Sequence, residues 1–251
     1  MAVAAIDLNA DLGEECGGDD EIFPCLSSAN ICCGAHAGGP SAIDTAVRSA
    51  ARHDVTIGAH IGYEDRANFG RTALEIEYDA LYDSVSWQLD AIATACQSHS
   101  TVLRYVKPHG ALYHRIGTDP TQARAVVDAV RAHDPALHLL VPNQPAITGA
   151  ASNAGLECRF EYFADRGYNA DGTLVDRRHP GAMLHSRQEI VDRALRWLET
   201  GRVRSIDGEE IVLQAHSICL HGDEREAIAS AHALRNALDA AGYAVRSWRV
   251  P

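Results

Sequence analysis

The chain has 251 residues, 46% of them hydrophobic, enough for a sizeable core in one large domain or two small ones. Its 22 basic and 34 acidic residues leave a formal charge of −12, which argues against a nucleic-acid or anionic-membrane partner but permits a local basic pocket. No apolar run approaches the roughly 18 residues that span a bilayer, the N-terminus lacks the features of a secretory signal, and seven cysteines without a Cys-x-x-Cys pattern suit free thiols, so a cytoplasmic location is expected.

In chain order, a β-prone run at 3–8 leads into Asp7-Leu-Asn-Ala-Asp-Leu-Gly-Glu14. This sets Asp7, Asn9, Asp11 and Glu14 at a strand exit. Such a cluster is costly to desolvate unless a cation, basic side chains or a substrate compensates it. A second strand at 28–33 runs into Asn30-Ile-Cys-Cys-Gly-Ala-His36-Ala-Gly38. Pro40 and Ser41, with Asp44 three residues after the serine, predict a capping-box start to a helix over 41–53. The third strand, 55–59, delivers Gly58-Ala-His60-Ile-Gly-Tyr-Glu-Asp65 and then Phe69-Gly70-Arg71. A helix over 74–98 presents Leu81, Val85, Leu89 and Ile92 on one face.

The fourth strand, 102–106, ends in Lys107-Pro108-His109-Gly110. Further helices fit 120–133, 188–200 and 224–241, the last closed by Gly242. Further strands fit 137–141, 157–163, 216–220 and 243–248. The 157–163 run leads to Asp165-Arg166, and 216–220 leads to His221-Gly222-Asp223. No linker or low-complexity tract interrupts this alternation, so a single domain over 1–251 is expected, with an α/β barrel preferred to a doubly wound sheet. No Gly-x-Gly-x-x-Gly or Walker loop is present, which argues against a dinucleotide fold and a self-contained P-loop ATPase.

Six strand ends thus carry His, Asp, Lys or Arg beside glycine. In a parallel barrel they share one face, where active sites of this architecture lie. His36 and His60 read as ligands, proton shuttles or satisfied core histidines, with Asp11 able to complete an Asp-His-His metal set. Lys107 reads as an inward lysine, serving either the site or a buried ion pair. Asp165-Arg166 reads as a substrate carboxylate clamp or an internal pair. Cys32, Cys33 and Cys219 read chiefly as buried fillers.

Taken together, these motifs resemble the LamB/YcsF family, the A subunits of 5-oxoprolinase, over nearly the whole chain. The resemblance implies a distorted (β/α) barrel, seven-stranded, similar to the polysaccharide deacetylase and glycosidase barrels. It implies ATP-dependent opening of 5-oxoproline to glutamate together with partner subunits B and C. Carried over as catalytic candidates are Asp11, Glu14, His36, His60, Lys107 and His109. Substrate-binding candidates are Asp7, Asn9, Asp165, Arg166, His221 and Asp223. In the corresponding mechanism Asp11 or Glu14 activates water, His36 and His60 hold a proton network or a divalent cation, Lys107 and His109 stabilise negative charge, and Arg166 takes the substrate carboxylate. Two positions depart from the usual family pattern: Gly39 where an aspartate is usual, and Ile61 where a proline is usual. The alternative readings are a stand-alone metal-dependent amide hydrolase or deacetylase, and a non-catalytic substrate-binding subunit.

Overall fold

A computed structural model describes residues 4–221 and 227–248; Asp223 and the start of the 224–241 helix lie outside the described residues. β1 (Ala5–Leu12) leads through the short α1 (Asp19–Ile22) to β2 (Ser28–Cys32), and α2 (Pro40–Arg52) returns the chain to β3 (Thr56–Ile61). α3 (Tyr78–Ser98) precedes β4 (Leu103–Pro108), and two helices, α4 (Gly110–Thr118) and α5 (Pro120–His133), lead to β5 (His138–Leu140). Then come α6 (Pro145–Ala154), β6 (Cys158–Arg159), β7 (Glu161–Phe163) and α7 (Arg187–Thr200). A hairpin of β8 (Arg202–Arg204) and β9 (Glu210–Val212), then β10 (Ser217–Leu220), α8 (Ala227–Ala240) and β11 (Ala244–Val245), complete the described chain.

Eight parallel strands follow the order β6-β5-β4-β3-β2-β1-β10-β7, with β11 added beside β1. The two ends of this path are successive in the chain, separated only by Phe160. The run predicted as one strand at 157–163 therefore kinks at Phe160, its first part pairing with β5 and its second with β10. Phe160 is itself stapled to the β10 side: its N–H donates to His216 Nδ1 at 3.1 Å and its carbonyl accepts from the His216 N–H at 2.8 Å. This bridging makes a nearly closed, distorted barrel. The count of eight rather than seven comes from the split.

The strand period of two sorts the side chains. On β1, Leu8, Ala10 and Leu12 join the apolar core beneath the helices. Asp7, Asn9 and Asp11 alternate with them and make polar contacts to residues of β2, β4 and β10. The barrel interior is consequently a hydrogen-bonded ladder. Asp7 accepts from Ser27 (2.7 Å), Ser28 (2.5 Å) and Ser217. Asn30 Nδ2 donates to Asn9 Oδ1 and Asp11 Oδ1, both at 2.8 Å, and its Oδ1 accepts from Tyr105 Oη at 2.7 Å. Gly58 makes room for that tyrosine, since a Cβ there would lie 2.3 Å from the ring.

The helices follow their apolar stripes. Leu81, Val85, Leu89 and Ile92 of α3 are fully buried, as their spacing predicts, although the helix begins at Tyr78 rather than at 74. α2 corrects the capping-box expectation. Its N-cap is Gly39, with no side-chain cap, and Asp44 instead contacts Arg48 and His99. α4, α6 and the β8–β9 hairpin are absent from the sequence reading: Pro108-His-Gly110 reads as a turn, and α6 buries only Ile147 and Ala151.

Candidate active site

The predicted residues separate into a lower polar ladder and an upper site. Asp7 and Asn9 lie down the strand from the site, bonded to serines and Asn30, so they support the barrel interior. Burial pushes the Asp7 carboxyl up to about 6, against the three hydroxyl donors that favour its ionised form. The site begins at Asp11, where β1 leaves the barrel.

Lys107, 2% exposed, reaches from β4 to Asp11 Oδ1 at 3.0 Å, to Glu161 Oε2 at 2.9 Å and to Cys219 Sγ at 3.2 Å. Burial opposes its charge, but the Asp11 and Glu161 carboxylates outweigh burial and hold the ammonium well above the ordinary lysine range. Burial likewise opposes the Asp11 carboxylate, and His60 with Lys107 overcomes it and holds it well below its ordinary value. Glu161 meets the same lysine, yet burial prevails and its carboxyl is raised; its Oε1 has no hydrogen-bond partner. Glu161 is the site residue that sequence reading missed. Its signal is a carboxylate at the centre of the apolar stretch Phe160-Glu-Tyr-Phe163, directed at an equally buried lysine.

Beside Asp11, Glu14 and His36, His60 and His109 offer four ligating atoms all within 4.8 Å of one another. His36 Nε2 is 3.2 Å from Glu14 Oε1, and His109 Nδ1 lies 3.4 Å from that oxygen. The His36 and His109 rings stack at 3.8 Å, and Gly70 (φ +62°) permits it, since a Cβ there would fall 2.8 Å from His36 Cβ. His60 Nδ1 faces the Lys107 carbonyl at 3.1 Å and His109 Nε2 faces the Phe69 carbonyl at 2.9 Å. A carbonyl can only accept, so each ring places its N–H there. The remaining nitrogens, His60 Nε2 and His109 Nδ1, then face each other at 3.0 Å beside Glu14 and Asp11. Burial and neighbouring imidazoles hold His36 and His109 well below the ordinary histidine value, as neutral rings with lone pairs to offer.

Converging lone pairs and carboxylates repel unless a cation joins them. One carboxylate and three imidazoles, two of them oriented by backbone carbonyls, are a suitable donor set for a divalent transition metal. The set differs from the Asp11-His36-His60 trio suggested by sequence. Asp11 Oδ1 is taken by Lys107 and Asn30, and Glu14 and His109 complete the cluster instead.

Across the site stands a dyad. Asp165 accepts from the backbone N–H of His221 at 3.0 Å, and both its oxygens lie 3.0 Å from His221 Nδ1. Burial would raise the Asp165 carboxyl, but the His221 contacts outweigh it and lower it. The ring stacks on Phe163 and lines the cavity. The sequence offers Asp165-Arg166 as a substrate carboxylate clamp or an internal pair; in the structure Asp165 pairs with His221 instead. Arg166 turns away, donating from Nε to the Ala182 carbonyl (3.1 Å) and from Nη2 to that of Val175 (2.7 Å). It ties down the 165–184 segment, and its burial pulls its pKa down to about 10.

Asp11, His60, Lys107, His109 and His221 line a cavity of about 970 Å³. Its wall carries Arg71, Arg115, Arg166, Arg177 and Arg178 against the carboxylates of Asp11 and Asp176. Arg115 and Arg178 already pair with Glu75 and Asp176. Burial, reinforced by Arg166 and Arg177, pulls His114 on the same wall down to about 4. A positive cavity thus sits in an acidic chain. Cys32, Cys33 and Cys219 are buried, with thiols that burial pushes up, to about 12 for Cys32, so they stay protonated.

Residues 6–250 match the LamB/YcsF family. The chain belongs to that family. A LamB/YcsF relative from Acinetobacter baylyi, named as the A subunit of 5-oxoprolinase, is 46% identical over 97% of this chain and 98% of its own length. One from Agrobacterium fabrum, likewise named as an A subunit of 5-oxoprolinase, is 44% identical over 98% of each. The crystal structure of the lactam utilization protein from Thermus thermophilus superimposes with a TM-score of 0.91 at 39% identity, over 97% of this chain and 100% of that one. The two chains therefore share one fold over nearly all of this chain.

Proposed function

We propose that this chain is the hydrolytic subunit of an ATP-dependent 5-oxoprolinase, opening the lactam of 5-oxoproline to L-glutamate with partner subunits B and C. The observation that carries this reading is that the Asp11–Lys107 pair, the Glu14-His36-His60-His109 cluster and the Asp165–His221 dyad all reach one cationic cavity, through Asp11, Lys107, His60, His109 and His221. The names of the relatives supply the substrate.

Amide hydrolysis needs a polarised carbonyl, a positioned water and a proton for the leaving nitrogen. Lys107 faces negative charge developing on the carbonyl oxygen, where a dry site makes such an interaction strongest, whereas His109, its N–H given to the Phe69 carbonyl, serves the cation cluster instead. Asp11 accepts a proton from the attacking water. His221, its Nδ1 held by Asp165, delivers one from its other nitrogen to the departing amine. Glu14, His36, His60 and His109 would hold a divalent cation, which supplies Lewis acidity when bound.

5-Oxoproline is a small ring with a single carboxylate, so neither its size nor its charge fills this cavity. Arg71 and Arg177 take the substrate carboxylate, leaving room and positive potential for the phosphates of ATP or of a phosphorylated lactam, although the chain has no phosphate loop of its own. The test is glutamate formation from 5-oxoproline with and without ATP and the B and C subunits. Glutamate only in the complete mixture, abolished by Asp11→Asn in a folded protein, supports the reading; wild-type turnover by that variant refutes it.

The four-residue cluster favours one second reading, a stand-alone metal-dependent amide hydrolase. It predicts stoichiometric metal in the purified chain and ATP-independent activity that a chelator removes.

A further inference from the structure

Behind the 165–184 segment lies a second cavity, about 570 Å³, between α7 and the β8–β9 hairpin. Arg193, Arg196, Arg202 and Arg204 line it together with Leu184 and Ile206. Four guanidinium groups against one lining carboxylate, Glu189, make this groove cationic in a chain carrying −12. Arg196 is paired with Glu210 at 2.9 Å, and Arg193 donates to the Arg166 carbonyl at 3.3 Å. The Arg202 guanidinium makes no hydrogen bond or ion pair among the described residues.

Apolar surface accompanies this charge. Ile206 is 40% exposed and Val212, opposite Arg202 in the hairpin register, is 63% exposed. The hairpin is a separate two-stranded sheet outside the barrel. Arg202 and Arg204 share its exposed face while Val203 turns to the core. Exposed arginines interleaved with aliphatic side chains are the chemistry of a protein interface. A small anion would need donors converging on a point, whereas these are spread over a turn of α7 and along β8.

The groove and the catalytic cavity share a thin wall. Arg166, Leu174 and Val175 face the catalytic side, and Gly167, Gly181 and Leu184 face the groove. Gly167 packs against the Gly181 carbonyl so closely that a Cβ would lie 2.4 Å from that oxygen. Ile206 N–H bonds the Tyr168 carbonyl at 2.9 Å, and Leu184 N–H bonds that of Asp165 at 2.8 Å, which ties hairpin, wall and dyad together.

We propose that this groove docks an acidic, extended segment of a partner protein, and that docking sets the 165–184 wall of the catalytic cavity. The partner is a subunit of the oxoprolinase assembly, so the proposal rests on the functional reading above. Its test is the affinity of purified B and C subunits for the full chain and for Arg202→Glu/Arg204→Glu, at low and high salt. We expect the reversal variant to bind at least about tenfold more weakly with a shallower salt dependence, to keep its melting temperature, and to lose coupled turnover in proportion. Arg202→Lys/Arg204→Lys should retain most of the binding. Unchanged affinity in the reversal variant overturns the proposal. So does equal loss in both variants, or saturable binding of inorganic tripolyphosphate that the reversal abolishes, which would make the groove a small-anion site. Failure of the lactam reading would show separately, as absent glutamate with wild-type subunits that still bind.

Discussion

Lys107 stands between two buried carboxylates, Asp11 and Glu161, and among the described residues neither has another lysine or arginine so close. Removing it in Lys107→Met leaves both charges uncompensated, a loss of about 3–5 kcal/mol in unfolding free energy, measurable by denaturant titration. Lys107→Met/Glu161→Gln should recover much of that stability and none of the activity, which separates the structural from the catalytic duty of the lysine. Asp165→Asn keeps the shape of the dyad but favours the wrong His221 tautomer; kcat should fall by about 10²–10⁴ with KM little changed. Asp7 gives a pH signature. Its carboxyl titrates near 6 in the fold against 3.8 ordinarily, so the native state binds the extra proton between those values. Stability from this group therefore rises as pH falls through 6, is complete below 3.8, and is lost above 6. Asp7→Asn should flatten this contribution, about 3 kcal/mol across the window, in melts recorded from pH 4 to 7.

At the level of elements, Gly39 explains one departure from the family pattern. It is the N-cap of α2, in an extended conformation open to any residue, and a Cβ there meets nothing within 4 Å. Gly39→Asp should restore a side-chain cap, gain a few tenths of a kcal/mol and leave turnover unchanged, as read by thermal melts and the coupled assay. The departure therefore concerns the start of a helix. Leu89→Ala, at the fully buried centre of the α3 stripe, should cost about 2–5 kcal/mol in the same melts. The α2, α3, α5 and α7 helices were legible because their apolar residues keep one face, and the site motifs because glycine and charge coincide at strand ends. α4 was hidden because Gly110, at φ +52°, begins a helix where such a residue usually ends one. Pairwise facts were hidden for another reason. That Asp165 meets His221 and Lys107 meets Glu161 depends on strand order, which a linear pattern does not contain.

For the molecule as a whole, the weak line is the join at Phe160. The strands meeting there are two and three residues long, against eight in β1. Fewer ladder hydrogen bonds mean cheaper local opening. In native-state hydrogen exchange the amides of Val141 and His216, which bond Arg159 and Phe160 on the β5 and β10 sides of the join, should exchange before those of the β1–β2–β3 centre. Equal protection throughout would show that the barrel opens only as a unit. The catalytic cavity and the arginine groove both depend on the 165–184 segment that follows this join.

The ladder of Asp7, Asn9, Asn30, Asp11 and Lys107 along the barrel axis has a bearing on how the chain reaches its fold. An oily interior rewards each strand as it arrives, because partial burial already yields part of the gain. A hydrogen-bonded interior gives no such instalments, since a half-built barrel strands donors and charges away from water without their partners. Assembly of the axis is then favoured only when all its partners are in place together. The same residues that prepare the chain for chemistry thus act as a checkpoint on its own completion.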